Sequence, residues 1–388
     1  MPISLISSPS RSSSIGMKKK VETFTFFKIN NAAAFKKGLK SLAPKITTTT
    51  QLLQVSTQPI TAVNIAFSST GIRALGVNDT LGDPLFTAGQ FHDAPNLGDP
   101  GTVNWVPAFK GTSIHGVFLL ASDTPTSITS EFAIIQKLFG TSFTVLNTLN
   151  GQVRPGAEEG HERKSTSIFT IQKPLLTFFT DFGFMDGISQ PGITGFTTNP
   201  VPGQTVIDPG NLLLGDFGDS ITRPAWAKDG SFLAFRQLKQ LVPEFNRFLT
   251  DNPIKEPGLT AQQGSALMGA RMVGRWKSVS HHIYYTYQFA SCLFTFDRQG
   301  APVDLTPLFD DPVLGADPNR NNNFTFAHPG EDIKSNQTRC PFSAHIRKTA
   351  PRADFATVDT AHHIMRAGIP YGPEGKINIL LCGKATEL

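Results

Sequence analysis

The pattern that most limits the fold of this chain is an alternation of strand-like and helical segments over residues 21–149. Residues 21–29 (VETFTFFKI) are rich in Phe and partly alternate apolar with polar positions, which predicts a strand. Further strands are predicted at residues 61–67, 114–121 and 142–149, and helices at 31–42, 68–75 and 127–139. The order β-α-β-β-α-β predicts a ferredoxin-like α+β domain.

The length of the chain, 388 residues, favours a second domain, because one hydrophobic core rarely organises so many residues. Residues 191–218 are rich in Pro and Gly and predict a connector. Beyond it, residues 231–238 predict a strand and residues 243–249 a helix that Pro243 begins. We therefore expect an α+β chain of two ferredoxin-like domains, with these divisions: a disordered or mis-assigned start at 1–20, then domains at 21–200 and 201–388.

Composition excludes several classes of protein. Hydrophobic residues make up 39% of the chain and charged residues 17%. Part of the net charge of +5 comes from the lysine run at residues 18–20, and no basic stripe alternates with stacking aromatics, so we expect no nucleic-acid partner. No apolar run reaches the length of about 18 residues that a membrane span needs. Residues 1–20 contain no visible export signal.

The first motif with chemical potential is DFGFMDGISQPG, residues 181–192. Its glycines permit a close approach of the backbone to a ligand, and Asp186 stands beside Phe184 and Met185. A carboxyl group in apolar surroundings can have a raised pKa and exchange protons. An Asp-Gly turn without chemistry is the alternative interpretation.

The second motif, RCPFSAHIRKTAPR at residues 339–352, places His345 among small and apolar residues, with Arg347 close behind it. An imidazole can bind haem iron axially, while cationic neighbours meet the propionates. A hydrogen-bonded structural histidine is the alternative. Cys340 could offer a thiolate ligand instead, although a buried structural cysteine is the better interpretation of it.

The third motif, AHHIMRAGIPYGPE at residues 361–374, carries Arg366 near the end of a predicted helix that Gly368 and Pro370 would terminate. A permanent cation can stabilise negative charge on an oxygen that leaves as an oxygen–oxygen bond is split. A solvated helix end or a partner of a carboxylate is the alternative.

Taken together, the segments GFMDGISQP, GAPVDLTPLFDDPVLGADPNRNNNF, HPGEDI, QTRCPFSAHIRKTAPR and HHIMRAGIPYGPE resemble those of fungal dye-decolorizing peroxidases, in the same order and spacing. The segment VNIAFSSTGIRALGV adds to the likeness. The resemblance covers the chain from about residue 18 to residue 374.

The resemblance implies an enzyme of the dimeric α+β barrel type that binds haem b (iron protoporphyrin IX) and uses hydrogen peroxide to oxidise dyes, phenols and other aromatic donors. His345 matches the proximal iron ligand, Asp186 the distal carboxylate that moves a proton, and Arg366 the distal arginine. Tyr371 matches a surface position that passes electrons, and a Tyr packed beneath a turn is its alternative. Trp105, Trp226 and Trp276 are further candidates without motif support. The resemblance also implies an extracellular enzyme, with the cytoplasm as the alternative, and leaves a homo-oligomer open.

The chain departs from the family pattern in three places. Residues 163–181 separate Gly160-His161-Glu162 from the Asp186 motif, and residues 279–299 separate GRWKS from GAPVDLTP. Both read like translated introns, and surface insertions are the alternative. After Glu374 the expected end of the second domain is missing, so we expect an incomplete second domain. These departures leave two further hypotheses: a non-catalytic or misfolded product of a peroxidase gene, and a haem-binding protein without turnover.

Overall fold

The computed structural model describes residues 19–48, 51–52, 56, 58–153, 182–184, 187–188, 190–277, 300–355 and 362–372. Its N-terminal part contains four strands: β1 (Val21–Ile29), β2 (Thr61–Phe67), β3 (Gly116–Ser122) and β4 (Phe143–Gln152). The helices of this part are α1 (Ala32–Leu42), α2 (Ser69–Ala74), α3 (Pro84–Ala88), α4 (Gln90–Asp93) and α5 (Pro125–Phe139).

The four strands form one antiparallel sheet in the order β2-β3-β1-β4. Helix α1 connects β1 to β2, and α5 connects β3 to β4, which is the ferredoxin-like arrangement that the sequence predicts. The α+β fold class is thereby confirmed. Helix α5 begins two residues earlier than predicted, because Pro125 occupies its first turn and the Thr124 side chain accepts a hydrogen bond from the Ser127 amide at 3.2 Å.

The helix-side face of the sheet carries a core of phenylalanine rings. Phe27 is fully buried, and its ring centroid lies 4.6 Å from that of Phe118 and 5.3 Å from that of Phe35. Phe35 belongs to α1 and contacts Phe139 of α5 at 4.6 Å, so both helices meet the sheet through the same cluster. Phe143 completes it from β4. Rings at these separations pack edge-on or tilted, which adds to the stabilisation from their burial.

The opposite face of the sheet packs against Phe109 and against Phe235 from the chain beyond the connector. Phe24 and Phe26 of β1 lie 5.2 and 4.9 Å from the ring of Phe235, and Phe109 lies 4.9 Å from Phe26. The strand predicted at residues 231–238 is wrong, because this segment pairs with no strand. Its alternating apolar residues instead bring the Phe235 ring onto the sheet, while the Phe235 amide donates to Gln90 Oε1 at 3.1 Å.

The described part of the C-terminal half contains few regular elements. They are the parallel pair β5 (Gly192–Ile193) and β6 (Val206–Ile207), and the helices α6 (Val242–Asp251), α7 (Ala261–Val273), α8 (Pro312–Ala316) and α9 (His345–Thr349). Helix α6 confirms the predicted helix at 243–249. No second four-stranded sheet occurs among the described residues of this half, so the second ferredoxin-like domain at 201–388 stays a prediction.

Within the described residues, no helix combines the length and the apolar character needed to cross a bilayer.

We expect Phe27→Ala to lower the free energy of unfolding by about 3–5 kcal/mol, since it leaves a ring-sized cavity among four packed rings. Urea unfolding followed by far-UV circular dichroism measures the change. Phe217→Ala is the matched control, because Phe217 is 76% exposed, and we expect it to stay within about 0.5 kcal/mol of the parent. Equal effects of the two substitutions would contradict the assignment of the core.

Candidate functional site

Arg366 lies in an irregular segment whose backbone is held by a glutamine from a distant motif. Residues 363–370 form no helix, so the helix predicted to end near Arg366 is wrong. The side-chain amide of Gln190 donates from Nε2 to the Arg366 carbonyl at 2.5 Å and accepts from the Arg366 amide at Oε1 at 2.8 Å. Arg366 itself is exposed. The structure therefore joins the segment that follows Asp186 in sequence to the segment that carries Arg366.

The same irregular segment is fixed a second time at the end of β4. The Gln152 amide donates to the Pro370 carbonyl at 2.9 Å, and Tyr371 forms an isolated antiparallel bridge with Gly151. Gly151 is required here, because a Cβ at this position would lie 2.3 Å from the side chain of Ile369. Tyr371 is half-buried. Its predicted role as a surface electron-transfer residue stays a prediction.

Asp186 lies outside the described residues, but the next residue, Gly187, packs against two polar side chains. A Cβ at Gly187 would lie 2.5 Å from Oδ1 of Asn322 and 3.0 Å from Nη2 of Arg275. Only a glycine permits this approach without displacing them. The backbone beside Asp186 therefore rests on Arg275 and Asn322.

His345 is the first residue of α9 and is exposed. The short helix is anchored by Arg347, which is 2% exposed. The guanidinium of Arg347 donates to both carboxylate oxygens of Asp354, at 2.8 and 2.5 Å, and to the carbonyls of Cys340 and Ile333. These partners account for a structural role of Arg347, and its predicted contact with a cofactor stays a prediction.

A loop at residues 321–324 connects the His345 helix to the backbone beside Asp186. Arg352, shortly after α9, donates to the carbonyls of Asn322 and Phe324 and stacks 4.1 Å from the ring centroid of Phe324. Arg275 donates to the Asn321 carbonyl at 3.1 Å and to Asn322 Oδ1 at 2.7 Å. Burial lowers the pKa of Arg352 to about 10, which leaves it protonated at neutral pH.

Cys340 is buried and free. Burial raises the pKa of its thiol to about 12, and the side chain packs in a cluster with Phe324, Phe326 and Ala344. The structure thus favours the interpretation of Cys340 as a structural cysteine, and leaves His345 as the stronger ligand candidate.

The tryptophans differ in their access to the surface. Trp276 is 6% exposed, and its indole N–H donates to Thr306, so it is a core residue and not a surface relay. Trp226 is half-buried and donates to Asp79 at 2.9 Å. Trp105 is half-buried beneath the guanidinium of Arg236, 5.8 Å from its ring centroid. The last two remain candidates for electron transfer.

The donor chemistry of these segments fits a haem. His345, which is exposed, is the first residue of α9. Arg366, also exposed, lies in the segment whose backbone is hydrogen-bonded to Gln190. Exposed apolar residues follow or precede these two in sequence: Phe355 is 53% exposed and Ile364 is 72% exposed. Imidazole, cation and apolar surface are the groups with which proteins hold an iron porphyrin. Sequence reasoning did not single out Gln190, although it lies within the GISQP motif.

Comparison with known proteins identifies relatives of this chain. Residues 14–155 match the family described as the DyP dimeric alpha+beta barrel domain. The chain is 53% identical over 369 residues to a dye-decolorizing peroxidase of Mycena epipterygia. This alignment covers 93% of this chain and 62% of that protein. It is 50% identical over 368 residues to dye-decolorizing peroxidase AauDyP1 of Auricularia auricula-judae, of which it spans 64%.

Solved structures show the same relationship. A decolorizing peroxidase from Auricularia auricula-judae superposes with a TM-score of 0.77 at 48% identity, covering 95% of this chain and 75% of that one. The structure of AauDyP complexed with imidazole gives a TM-score of 0.78 at 49% identity, covering 93% of this chain and 74% of that one. The chain spans less than two thirds of the length of the two relatives named above. By sequence and by fold, the chain belongs to the dye-decolorizing peroxidase family.

Proposed function

We propose that this chain is a haem-dependent peroxidase that reduces hydrogen peroxide and oxidises dyes, phenols and other aromatic donors. The observation that carries the proposal is the pair of hydrogen bonds between the Gln190 amide and the Arg366 backbone. Through this pair, two segments that resemble the peroxide-side motifs of the family meet across 176 residues of sequence. Membership in the family supports the same activity.

Each candidate residue has a distinct task in this proposal. His345 would bind the iron through its imidazole, with α9 anchored by Arg347 and Arg352. Haem would supply the redox chemistry that splits the oxygen–oxygen bond. Asp186 would take a proton from the near oxygen of peroxide and deliver it to the departing oxygen. Arg366 would hold peroxide in place and stabilise the negative charge that develops as the bond breaks.

We expect His345→Ala to abolish retention of haem, because the substitution removes the imidazole ligand. Reconstitution with haem, followed by desalting and measurement of the Soret band, tests this. His92→Ala is the matched control, since His92 is also exposed and belongs to α4, outside the candidate motifs in sequence. Full haem retention by His345→Ala would rule out this residue as the iron ligand.

We expect Asp186→Asn to retain haem and to slow the reaction with peroxide by about 10²–10⁴-fold, the range typical of a lost general acid–base group. Stopped-flow absorbance after mixing with peroxide measures the rate, and bleaching of an anthraquinone dye measures turnover. An unchanged rate would refute the proton-transfer role.

The same measurements on the unchanged chain separate the remaining hypotheses. A Soret band with peroxide-dependent bleaching supports a peroxidase. A Soret band without bleaching supports a haem-binding protein without turnover, and no haem binding supports a non-catalytic or misfolded product.

Several finer points remain proposals. Haem b is the expected cofactor, an extracellular location follows from the family resemblance, and self-association is left open. Residues 163–181 and 279–299 lie outside the described residues, and we propose that they are retained introns. Transcript reads that continue through both segments without splicing would contradict this origin.

A further inference from the structure

Gln190 uses both ends of its side-chain amide on a single residue. Its Nε2 donates to the carbonyl of Arg366 at 2.5 Å, and its Oε1 accepts from the amide of Arg366 at 2.8 Å. Gln190 is 8% exposed, so water competes little for these bonds. The two groups that it holds flank the Cα of Arg366. Fixing both restricts the backbone torsions of Arg366 and thereby the direction of its Cα–Cβ bond.

Gln190 is itself held in place. Its carbonyl accepts a hydrogen bond from Gln204 Nε2 at 3.1 Å, and Gln204 Oε1 accepts from the Val201 amide at 3.1 Å. Two residues further along, the Gly192 amide donates to the Thr205 carbonyl at 2.8 Å, where β5 pairs with β6. Gln190, which binds the backbone of Arg366, is therefore held beside the short parallel strands β5 and β6.

The segment around Arg366 needs such a support. Residues 363–370 belong to no helix or strand, so no ladder of hydrogen bonds orients their peptide groups. A further anchor is the Pro370 carbonyl, which accepts from the Gln152 amide at the end of β4. Arg366 itself is exposed.

We propose that Gln190 is a positioning residue for the reaction with peroxide, acting by setting the backbone from which the Arg366 guanidinium projects. This inference rests on the proposed function. Stabilisation of developing charge depends on groups that are aligned beforehand, and a displacement of about 1 Å can cost about 10²-fold in rate. Loss of the amide pair should therefore reduce peroxide reactivity without affecting the iron ligand or the binding of the donor.

The first test compares Gln190→Leu with Gln262→Leu. The leucine at 190 keeps the approximate size of the side chain and removes both hydrogen bonds, while Gln262 is an exposed residue of α7. In the chain without haem, we expect faster hydrogen–deuterium exchange in the peptide covering residues 362–372 for Gln190→Leu only. With haem, we expect its second-order rate with peroxide to fall about 10–100-fold, with an unchanged Soret band and an unchanged KM for the dye.

The second test uses Gln190→Glu, which provides a rescue that depends on pH. A protonated carboxyl group can donate to the Arg366 carbonyl and accept from its amide, as the glutamine does. An ionised carboxylate can only accept, and it repels the carbonyl. We therefore expect the peroxide rate, divided by that of the parent at each pH, to approach one at low pH and to fall toward the Gln190→Leu value as pH rises.

A merely structural role of Gln190 would lower haem retention, measured by the Soret band, together with the peroxide rate, whereas a positioning role lowers the rate alone. A ratio that does not vary with pH, or a Gln190→Leu protein that reacts with peroxide at the parental rate, would overturn the positioning role and leave the proposed peroxidase function intact. If the parent chain fails to consume peroxide, the proposed function fails and the positioning role with it. The hydrogen–deuterium exchange measurement, made without haem, then shows independently whether Gln190 holds the backbone of Arg366.

Discussion

The C-terminal half depends on guanidinium groups that satisfy the carbonyl oxygens of buried loops. A chain with few helices and strands leaves many backbone carbonyls without ladder partners, and each one buried without a hydrogen bond is costly. Arg275, Arg347 and Arg352 supply fixed arrays of N–H donors that meet this need. The carbonyls that accept from them are those of Gly300, Asn321, Asn322, Phe324, Ile333 and Cys340. Arginine here adds side-chain donors to the backbone hydrogen bonds that the turns and loops make among themselves.

This arrangement explains how the two sides of the candidate site are connected. The loop at residues 321–324 accepts hydrogen bonds from Arg275 and lies against Gly187. It also accepts a hydrogen bond from Arg352, which follows α9. A disturbance of the loop would therefore reach both the backbone beside Asp186 and the helix of His345. The phenylalanine cluster around Phe27 is a separate source of stability, confined to the sheet and its two helices.

The sequence predicted the sheet well because each strand is marked by a local apolar or alternating pattern, and α1, α2 and α5 each begin after a capping side chain. β1 and β2 begin and end at the predicted residues, and α1 follows its Asn31 cap. The strand prediction failed at residues 231–238. This segment pairs with no strand, and its Phe235 ring packs on the β1 side chains of the sheet. Prediction failed again at Arg366, whose partner is distant in sequence. Nothing in the sequence near Gln190 indicates that its side-chain amide binds the backbone of Arg366.

The link between Gln190 and Arg366 also has a consequence for the local stability of the molecule. It joins residues 176 positions apart, so the entropy of closing that long loop must be overcome before the two hydrogen bonds can form. The sheet also joins residues far apart in sequence, such as Val21 and Gln152, but a buried aromatic core packs against its strands. The backbone around Arg366 has no helix or strand of its own and is held through hydrogen bonds such as those of Gln190. Under mild denaturing conditions the chain can lose this geometry while its sheet remains folded, so a folded signal by circular dichroism does not certify an assembled site.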